Sequence, residues 1–132
     1  MGSKVGDQVL TKYILLFFAG GSAYALLEVV WRGYTHWTMF IAGGICTILL
    51  NMISSFEMPL WERAVIGGAV ITAVELAAGS VVNLALGWDV WDYSRMPMNL
   101  WGQVWIGASL GWTALSVPVM GLCSIMERVI GW

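Results

Sequence analysis

Four long apolar windows dominate the chain, and the short segments between them hold most of its charges. The windows cover residues 13–31, 37–55, 64–84 and 100–126. A helix needs about 20 mainly apolar residues to cross the hydrocarbon layer of a bilayer. The pattern therefore predicts four transmembrane helices, which form a single all-α domain over residues 1–132.

The composition supports this fold class and limits the possible partners. Hydrophobic residues make up 59% of the 132 residues, charged residues make up 11%, and the mean hydropathy is +0.78. Such a chain has too few charges to cover a water-soluble surface. We therefore expect an integral membrane protein surrounded by lipid. The net charge of -2 and the lack of a basic run argue against nucleic acid as a partner.

Basic residues near the helix ends predict the orientation. Cytoplasmic loops carry an excess of lysine and arginine. The side that holds both termini and the loop between helices 2 and 3 carries Lys4, Lys12, Arg63 and Arg128. The other side carries Arg32 and Arg95. The bias favours cytoplasmic termini in a bacterial-type plasma membrane.

A short sequence pattern occurs on both helix 1 and helix 3. "GGSAYALLE" at residues 20–28 and "GGAVITAVE" at residues 67–75 place a glycine pair and a glutamate at the same spacing. Helices 1 and 3 run in the same direction, so the pattern is consistent with two parallel two-helix repeats. Chance is the alternative, because glycine pairs are common in membrane helices.

Small and polar side chains follow one face of three predicted helices. The stripes consist of Gly68, Thr72, Glu75, Gly79 and Asn83 on helix 3, Gly102, Ser109, Thr113, Ser116 and Cys123 on helix 4, and Gly44, Thr47 and Asn51 on helix 2. Such faces point at other helices rather than at lipid. Two interpretations remain open, close helix packing and a polar cavity. Cys46 and Cys123 each lie alone in a predicted helix, and we interpret both as small packing residues. We expect neither a metal nor a cofactor.

Two glutamates lie within the predicted spans. A carboxylate in hydrocarbon costs roughly 2.5–3.5 kcal/mol, so an intramembrane acid is a candidate functional site. Glu75 has no basic residue within a helical turn, which predicts a proton-exchanging group. Glu28 has Arg32 four residues later, in the order that favours a helical ion pair. The alternative for Glu75 is a protonated acid that hydrogen-bonds a neighbouring helix.

The segment 88–105, "WDVWDYSRMPMNLWGQVW", gathers acids, amides, an arginine and tryptophans between helices 3 and 4. Its tryptophans, together with Trp31 and Trp37, suit an aromatic belt at the membrane boundary. The alternative is an aromatic entrance that holds an organic cation by cation–π contact. Asn99 stands just before residue 100, where it is expected to cap helix 4.

This segment also carries a family resemblance. The run Trp91-Asp92-Tyr93-Ser94, then Pro97, Asn99-Leu100 and Gly102-Gln103, resembles the signature of the "Putative ABC-transporter type IV" (CmpB-like) membrane proteins, which include the transmembrane protein 229 group. "YALLEVVW" and "AVELAAGSVVN" are similar to the family's glutamate-bearing helices. The resemblance implies a small polytopic protein and gives no settled activity. The residues that match the family pattern are Glu28, Glu75, Asp92, Tyr93, Ser94, Pro97, Asn99 and Gln103.

The residues that these patterns single out define a candidate site for a solute or ion. They are Glu75, Glu28, Arg32, Asn51, Asn83, Trp91, Asp92, Tyr93, Ser94, Asn99 and Gln103. No G-x-x-x-x-G-K-[ST] motif is present, so we expect no ATP binding by this chain.

Three functions remain open. The first is a secondary transporter or channel for a small cationic or amphipathic solute, assembled as a homo-oligomer and most simply as a dimer. The second is an accessory or scaffold subunit without chemistry of its own. The third is an interfacial lipid-modifying enzyme that uses His36 and polar residues of segment 88–105. The chain has no HExxH or GxSxG signature, and we therefore expect no enzymatic activity.

Overall fold

The protein, described here from a computed structural model, is an assembly of four long helices. The structure describes residues 2–131, with side chains from residue 6 onward. The elements are α1 (Gly2–Arg32), α2 (Trp37–Ser54), α3 (Leu60–Gly79), a π-helical segment (Ser80–Ala85) that continues α3, and α4 (Ile106–Ile130). Four helices are long and apolar enough to cross a membrane, and the part of the chain that is described holds no β-strand. The prediction of an all-α protein with four candidate membrane spans is confirmed.

The predicted start of helix 4 at residue 100 is wrong. Residues 100–105 form a turn in which the Leu100 N–H donates to the Val104 carbonyl at 2.9 Å, and α4 begins at Ile106. Trp101 and Gly102 have φ values of 55° and 73°, in the left-handed region that a right-handed helix cannot include. Asn99 therefore does not cap helix 4. Its Oδ1 instead accepts from the Gly102 N–H at 3.0 Å. This bond lies inside residues 86–105, which join the π-helical segment to α4 and are called the connecting loop.

The start of α1 also differs from the prediction. The helix begins at Gly2 rather than at residue 13, because hydropathy marks only the part of a helix that suits hydrocarbon. Residues 2–12, which precede the apolar window, contain no proline that would interrupt the helix. The start of α2 follows local chemistry, since His36 has extended backbone and its Nδ1 accepts from the Thr38 N–H at 3.3 Å.

The chain forms two compact units, and α4 contributes to both. Unit 1 contains Met1–Ser55 and Val119–Trp132, and unit 2 contains Phe56–Pro118. In unit 1, glycines allow α1 and α2 to approach closely. A Cβ atom at Gly20 would overlap the side chain of Thr47, and one at Gly44 would overlap Phe17. Close backbone approach at small residues is a common way for membrane helices to pack.

Unit 2 is built by α3, the π-helical segment, the connecting loop and the first half of α4. A Cβ atom at Gly68 would overlap Thr113 of α4, so glycine is required where these two helices meet. Ser116 Oγ donates to the Ala64 carbonyl at 3.2 Å near the same contact. Many of the large side chains that remain exposed on the helices are aliphatic, as is suitable for lipid-facing surfaces.

Candidate functional site

Glu75 lies on the face of α3 that contacts α4. Its side chain is buried, with 8% of its surface exposed. The indole Nε1 of Trp112 in α4 donates a hydrogen bond to Glu75 Oε2. Because an indole N–H can only donate, this contact favours a carboxyl oxygen that accepts. Glu75 is therefore a buried acid that is oriented by a side chain of the neighbouring helix.

Polar contacts continue from Glu75 along the line where α3 and α4 meet. Thr72 Oγ1 donates to Ser109 Oγ at 2.9 Å. Thr113 and Ser116 follow on the same face of α4, and Ser116 contacts the Ala64 carbonyl. We call these contacts, together with Glu75 and Trp112, the polar seam. At 1.5 Å per residue, the stretch of α3 from Ala64 to Glu75 that carries these contacts covers about 16 Å, roughly half the thickness of a hydrocarbon core.

The other end of α3 is closed by an amide cluster. Asn83 Nδ2 donates to Gln103 Oε1 at 2.7 Å, and Asn83 Oδ1 accepts from the Val90 N–H at 2.7 Å. The indole Nε1 of Trp91 donates to the Gln103 carbonyl at 2.9 Å. All three side chains are buried. The structure thus brings together three of the predicted site residues, Asn83, Trp91 and Gln103.

Gly79 allows this amide cluster to lie against α3. A Cβ atom at Gly79 would stand 2.8 Å from the Trp91 ring and 3.0 Å from Gln103 Cβ. Glu75, Gly79 and Asn83 are four residues apart and so share one helix face. The connecting loop is therefore anchored one helical turn from Glu75.

The π-helical segment was not predicted from the sequence. It holds Asn83 and ends where the Leu86 N–H donates to the Val81 carbonyl at 2.9 Å and the Trp88 N–H to the Val82 carbonyl at 2.8 Å. Single π-helical turns are frequent at functional sites. Here the segment leads into the turn that brings the Val90 N–H to the Asn83 side chain.

The exposed polar residues of the loop stabilise its turns. Asp92 Oδ1 accepts from the Ser94 N–H at 2.8 Å, and this hydrogen bond, followed by that of the Ser94 side chain, lowers the pKa of Asp92 below its usual value of 3.8. Asn99 Nδ2 donates to the Met96 carbonyl at 2.8 Å. The Tyr93 N–H donates to the Gly102 carbonyl at 2.7 Å. These four predicted site residues thus have a role in local structure.

In unit 1, Glu28 and Arg32 form the ion pair that their spacing predicts. Arg32 Nη1 lies 3.1 Å from Glu28 Oε2. Arg32 Nη2 also donates to the Tyr34 hydroxyl at 2.7 Å, and the guanidinium lies 4.6 Å from the centre of the Tyr34 ring. The buried Glu28 carboxylate therefore has a positive neighbour held in place by an aromatic side chain.

A second charged cluster in unit 1 involves a residue that the sequence did not indicate. Lys12 Nζ contacts Glu127 Oε1 at 2.8 Å, and Asn51 Nδ2 donates to the same oxygen at 3.2 Å. Asn51 is thus a partner of Glu127, which was not predicted as a site residue.

Trp112 of unit 2 was also not predicted as a site residue. Its position three residues after Ser109 nevertheless places it on the polar stripe of α4 and away from the membrane boundary.

Among the residues that the structure describes, no group of three His, Cys, Asp or Glu side chains could hold a metal ion.

The fold and the buried acid define a membrane protein with a polar seam between two of its candidate spans. The chain belongs to the family described as "Putative ABC-transporter type IV", whose sequence model matches residues 12–131. The family predicted from the sequence is thereby confirmed. No curated protein and no solved structure matches the chain.

Proposed function

We propose that the protein is a secondary transporter or channel for a small cationic or amphipathic solute, and that Glu75 exchanges a proton for the solute. The observation that carries this proposal is the burial of Glu75 against Trp112, with hydroxyl contacts continuing along the polar seam. An acid at this depth is expensive in hydrocarbon and typically marks an ion or proton pathway. A passive helix contact needs only small residues or neutral polar groups.

The chemistry of the exchange follows from charge balance. With a proton bound, Glu75 is neutral and suits a low-dielectric site. A cation that binds beside the carboxylate replaces the proton and keeps the site neutral. Trp112 continues to donate to the carboxylate in the charged form, which lowers the cost of losing the proton. The hydroxyls of Thr72 and Ser109 lie on the seam and are suited to pass protons.

Glu28 has a different role in this proposal. Its ion pair with Arg32 already supplies a positive partner, so we do not propose that Glu28 exchanges a proton for the solute. The pair has a structural role at the end of α1, where the contacts of Arg32 with Tyr34 hold it.

The test is a current measurement on proteoliposomes adsorbed to a solid-supported membrane. The stimuli are proton steps, alkali and divalent metal cations, and tetraphenylphosphonium as an organic cation. Glu75→Gln keeps the size of the side chain and removes the exchangeable charge. The matched control is Glu62→Gln, which makes the same change in the first turn of α3.

We expect a coupled current in the natural chain and in Glu62→Gln, and none in Glu75→Gln. An unchanged coupled current in well-folded Glu75→Gln would contradict the role of Glu75. No current from any variant, with all of them folded, would contradict the transport proposal.

We further propose a homodimer in a bacterial-type plasma membrane, with the termini on the cytoplasmic side. Four helices enclose little space, and a second copy supplies the remaining wall. Gly111 and Gly121 of α4 support this proposal, since no described atom lies within 4 Å of the place where a Cβ would stand. Gly111→Leu should weaken dimers measured by single-molecule photobleaching in liposomes. Dimers that remain unchanged in Gly111→Leu and in Gly121→Leu would contradict this interface.

The same exposed glycines favour the second candidate function, an accessory subunit that binds another membrane protein. Purification from native membranes distinguishes the two candidates. A partner recovered in fixed stoichiometry, and lost in Gly111→Leu, would support the accessory role.

The repeated glycine and glutamate pattern supports a proposal of two parallel repeats. Gly20 on α1 faces Thr47 on α2, and Gly68 on α3 faces Thr113 on α4. Both threonine hydroxyls donate to the carbonyl four residues earlier, at 2.9 Å in each case. In each half, a glycine of the acid-bearing helix thus meets a threonine of the helix that follows, but the two glycines are one position apart in the pattern, because the offset of 47 residues pairs Gly68 with Gly21.

A further inference from the structure

The tip of the connecting loop exposes large apolar side chains. Met98 has 79% of its surface exposed and Trp101 has 67%. Met96 and Leu100 beside them are also exposed. We call these four residues the loop tip. Because exposed tips of loops in water usually carry small or polar residues, this composition requires an explanation.

The backbone of the loop tip makes many of its hydrogen bonds internally. The carbonyls of Met96 and Trp101 accept from the side-chain amides of Asn99 and Gln103, at 2.8 and 2.9 Å. The Gln103 N–H donates to the Leu100 carbonyl at 3.0 Å. Pro97 has no N–H to satisfy.

These internal bonds are what a non-helical segment needs in order to enter lipid. Backbone groups that lose water must find partners within the protein. The side-chain amides of Asn99 and Gln103 bond carbonyls that lie next to the exposed apolar side chains. These bonds lower the cost of taking the loop tip out of water.

The chain on either side of the connecting loop also exposes apolar side chains. Leu84 and Leu86 are exposed where the π-helical segment ends, and Ile106 and Leu110 are exposed where α4 begins. The loop tip thus lies between chain segments that expose apolar residues in or beside candidate membrane spans.

We propose that the loop tip inserts into the lipid of the adjacent leaflet and anchors the connecting loop at the membrane interface. Tryptophan is enriched at this depth, and the unbranched methionine side chains adapt to irregular surroundings. Asp92, Ser94 and Arg95 are exposed on the preceding part of the loop and stay in the aqueous or headgroup region.

Lipid fits the loop tip better than a second copy of the chain does. A stable protein interface takes about 20–30 residues on each side, whereas the loop tip offers four. Lipid needs no complementary shape and accepts flexible side chains such as Met96 and Met98.

Spin-label accessibility in proteoliposomes tests the insertion. Cys46 and Cys123 are first replaced by serine, and a nitroxide is then attached to Met98→Cys. The matched control on the same loop is Ser94→Cys, and Leu26→Cys on α1, where Leu26 has 65% of its surface exposed, is the lipid-facing reference. Collision with oxygen reports lipid, and collision with a water-soluble nickel chelate reports water.

We expect the Met98 label to resemble the Leu26 label, with oxygen access several-fold higher relative to the chelate than at Ser94. Equal ratios at Met98 and Ser94 would overturn the proposal. Low access to both reagents at Met98 would also overturn it, because the loop tip would then be covered by protein. If Met98→Cys fails to fold, a label at Trp101→Cys is measured in the same way.

Discussion

The indole Nε1 of Trp112 donates a hydrogen bond to Glu75 Oε2, and this contact joins α4 to the buried acid of α3. An indole N–H can only donate, so Trp112 holds the carboxyl oxygen that it faces as an acceptor. A change at Trp112 should therefore affect transport through Glu75.

Trp112→Phe should weaken cation binding beside Glu75. The change keeps an aromatic ring and removes the N–H donor that contacts Glu75. A hydrogen bond to a charged group contributes about 1.5–3 kcal/mol, so the cation concentration that gives half of the maximal current should rise about tenfold or more. The solid-supported-membrane current measured against tetraphenylphosphonium concentration checks this. Trp105→Phe is the control, and an equal loss in both variants would contradict a specific role of Trp112.

Gly79→Ala should destabilise the protein. A Cβ atom at this position meets the buried Trp91 ring at 2.8 Å, and overpacking of this kind costs about 1–3 kcal/mol. Gly6→Ala is the control, since no described atom lies within 4 Å of its Cβ position. Thermal unfolding in detergent measures both variants. Equal melting temperatures for Gly79→Ala and the natural chain would show that the loop does not rest on α3 as described.

The Lys12 to Glu127 ion pair should contribute to the stability of unit 1. The two side chains contact at 2.8 Å and are 17% and 29% exposed. We expect Lys12→Met to lower the free energy of unfolding by about 1–2 kcal/mol, between the values for exposed and buried pairs. Arg128→Met is the control at an exposed neighbouring position. The exchange of both charges, Lys12→Glu with Glu127→Lys, should recover part of the loss, and no recovery would argue against the pair.

The turn at Asp92 should be sensitive to acid. Since the pKa of Asp92 is lowered in the folded protein, its contribution to stability is present above the usual value of 3.8 and is lost as the pH falls through the lowered pKa. Carbon-13 NMR of the carboxyl groups should show Asp92 titrating below 3.8. Ser94→Ala should return the pKa only partly, because the backbone hydrogen bond remains. Titration of Asp92 at or above 3.8 in the natural chain would contradict the turn.

The spacing of residues predicted much of the polar seam and of the amide cluster. Thr72, Glu75, Gly79 and Asn83 follow the helical period on α3, and the structure has each of them in contact with α4 or with the connecting loop. Such a stripe is readable from sequence because lipid gains nothing from polar side chains. The ion pair of Glu28 and Arg32 was equally local, four residues apart on one helix.

Other features depend on contacts between distant residues. The start of α4 was predicted too early because Leu100 and Trp101 are apolar and hydropathy does not distinguish an apolar loop from a helix. Their position follows instead from the contact of Gln103 with Asn83. The partner of Lys12 lies 115 residues later, and no local pattern identifies such a pair.

The central claim is that Glu75 releases a proton when a cation binds. Purified protein in weakly buffered detergent is mixed with tetraphenylphosphonium, and proton release is followed with a pH indicator while bound cation is counted separately. Release in proportion to the bound cation in the natural chain and in Glu62→Gln, and no release in Glu75→Gln, is the predicted result. Binding without proton release in the natural chain, or equal release from Glu75→Gln, would contradict the claim.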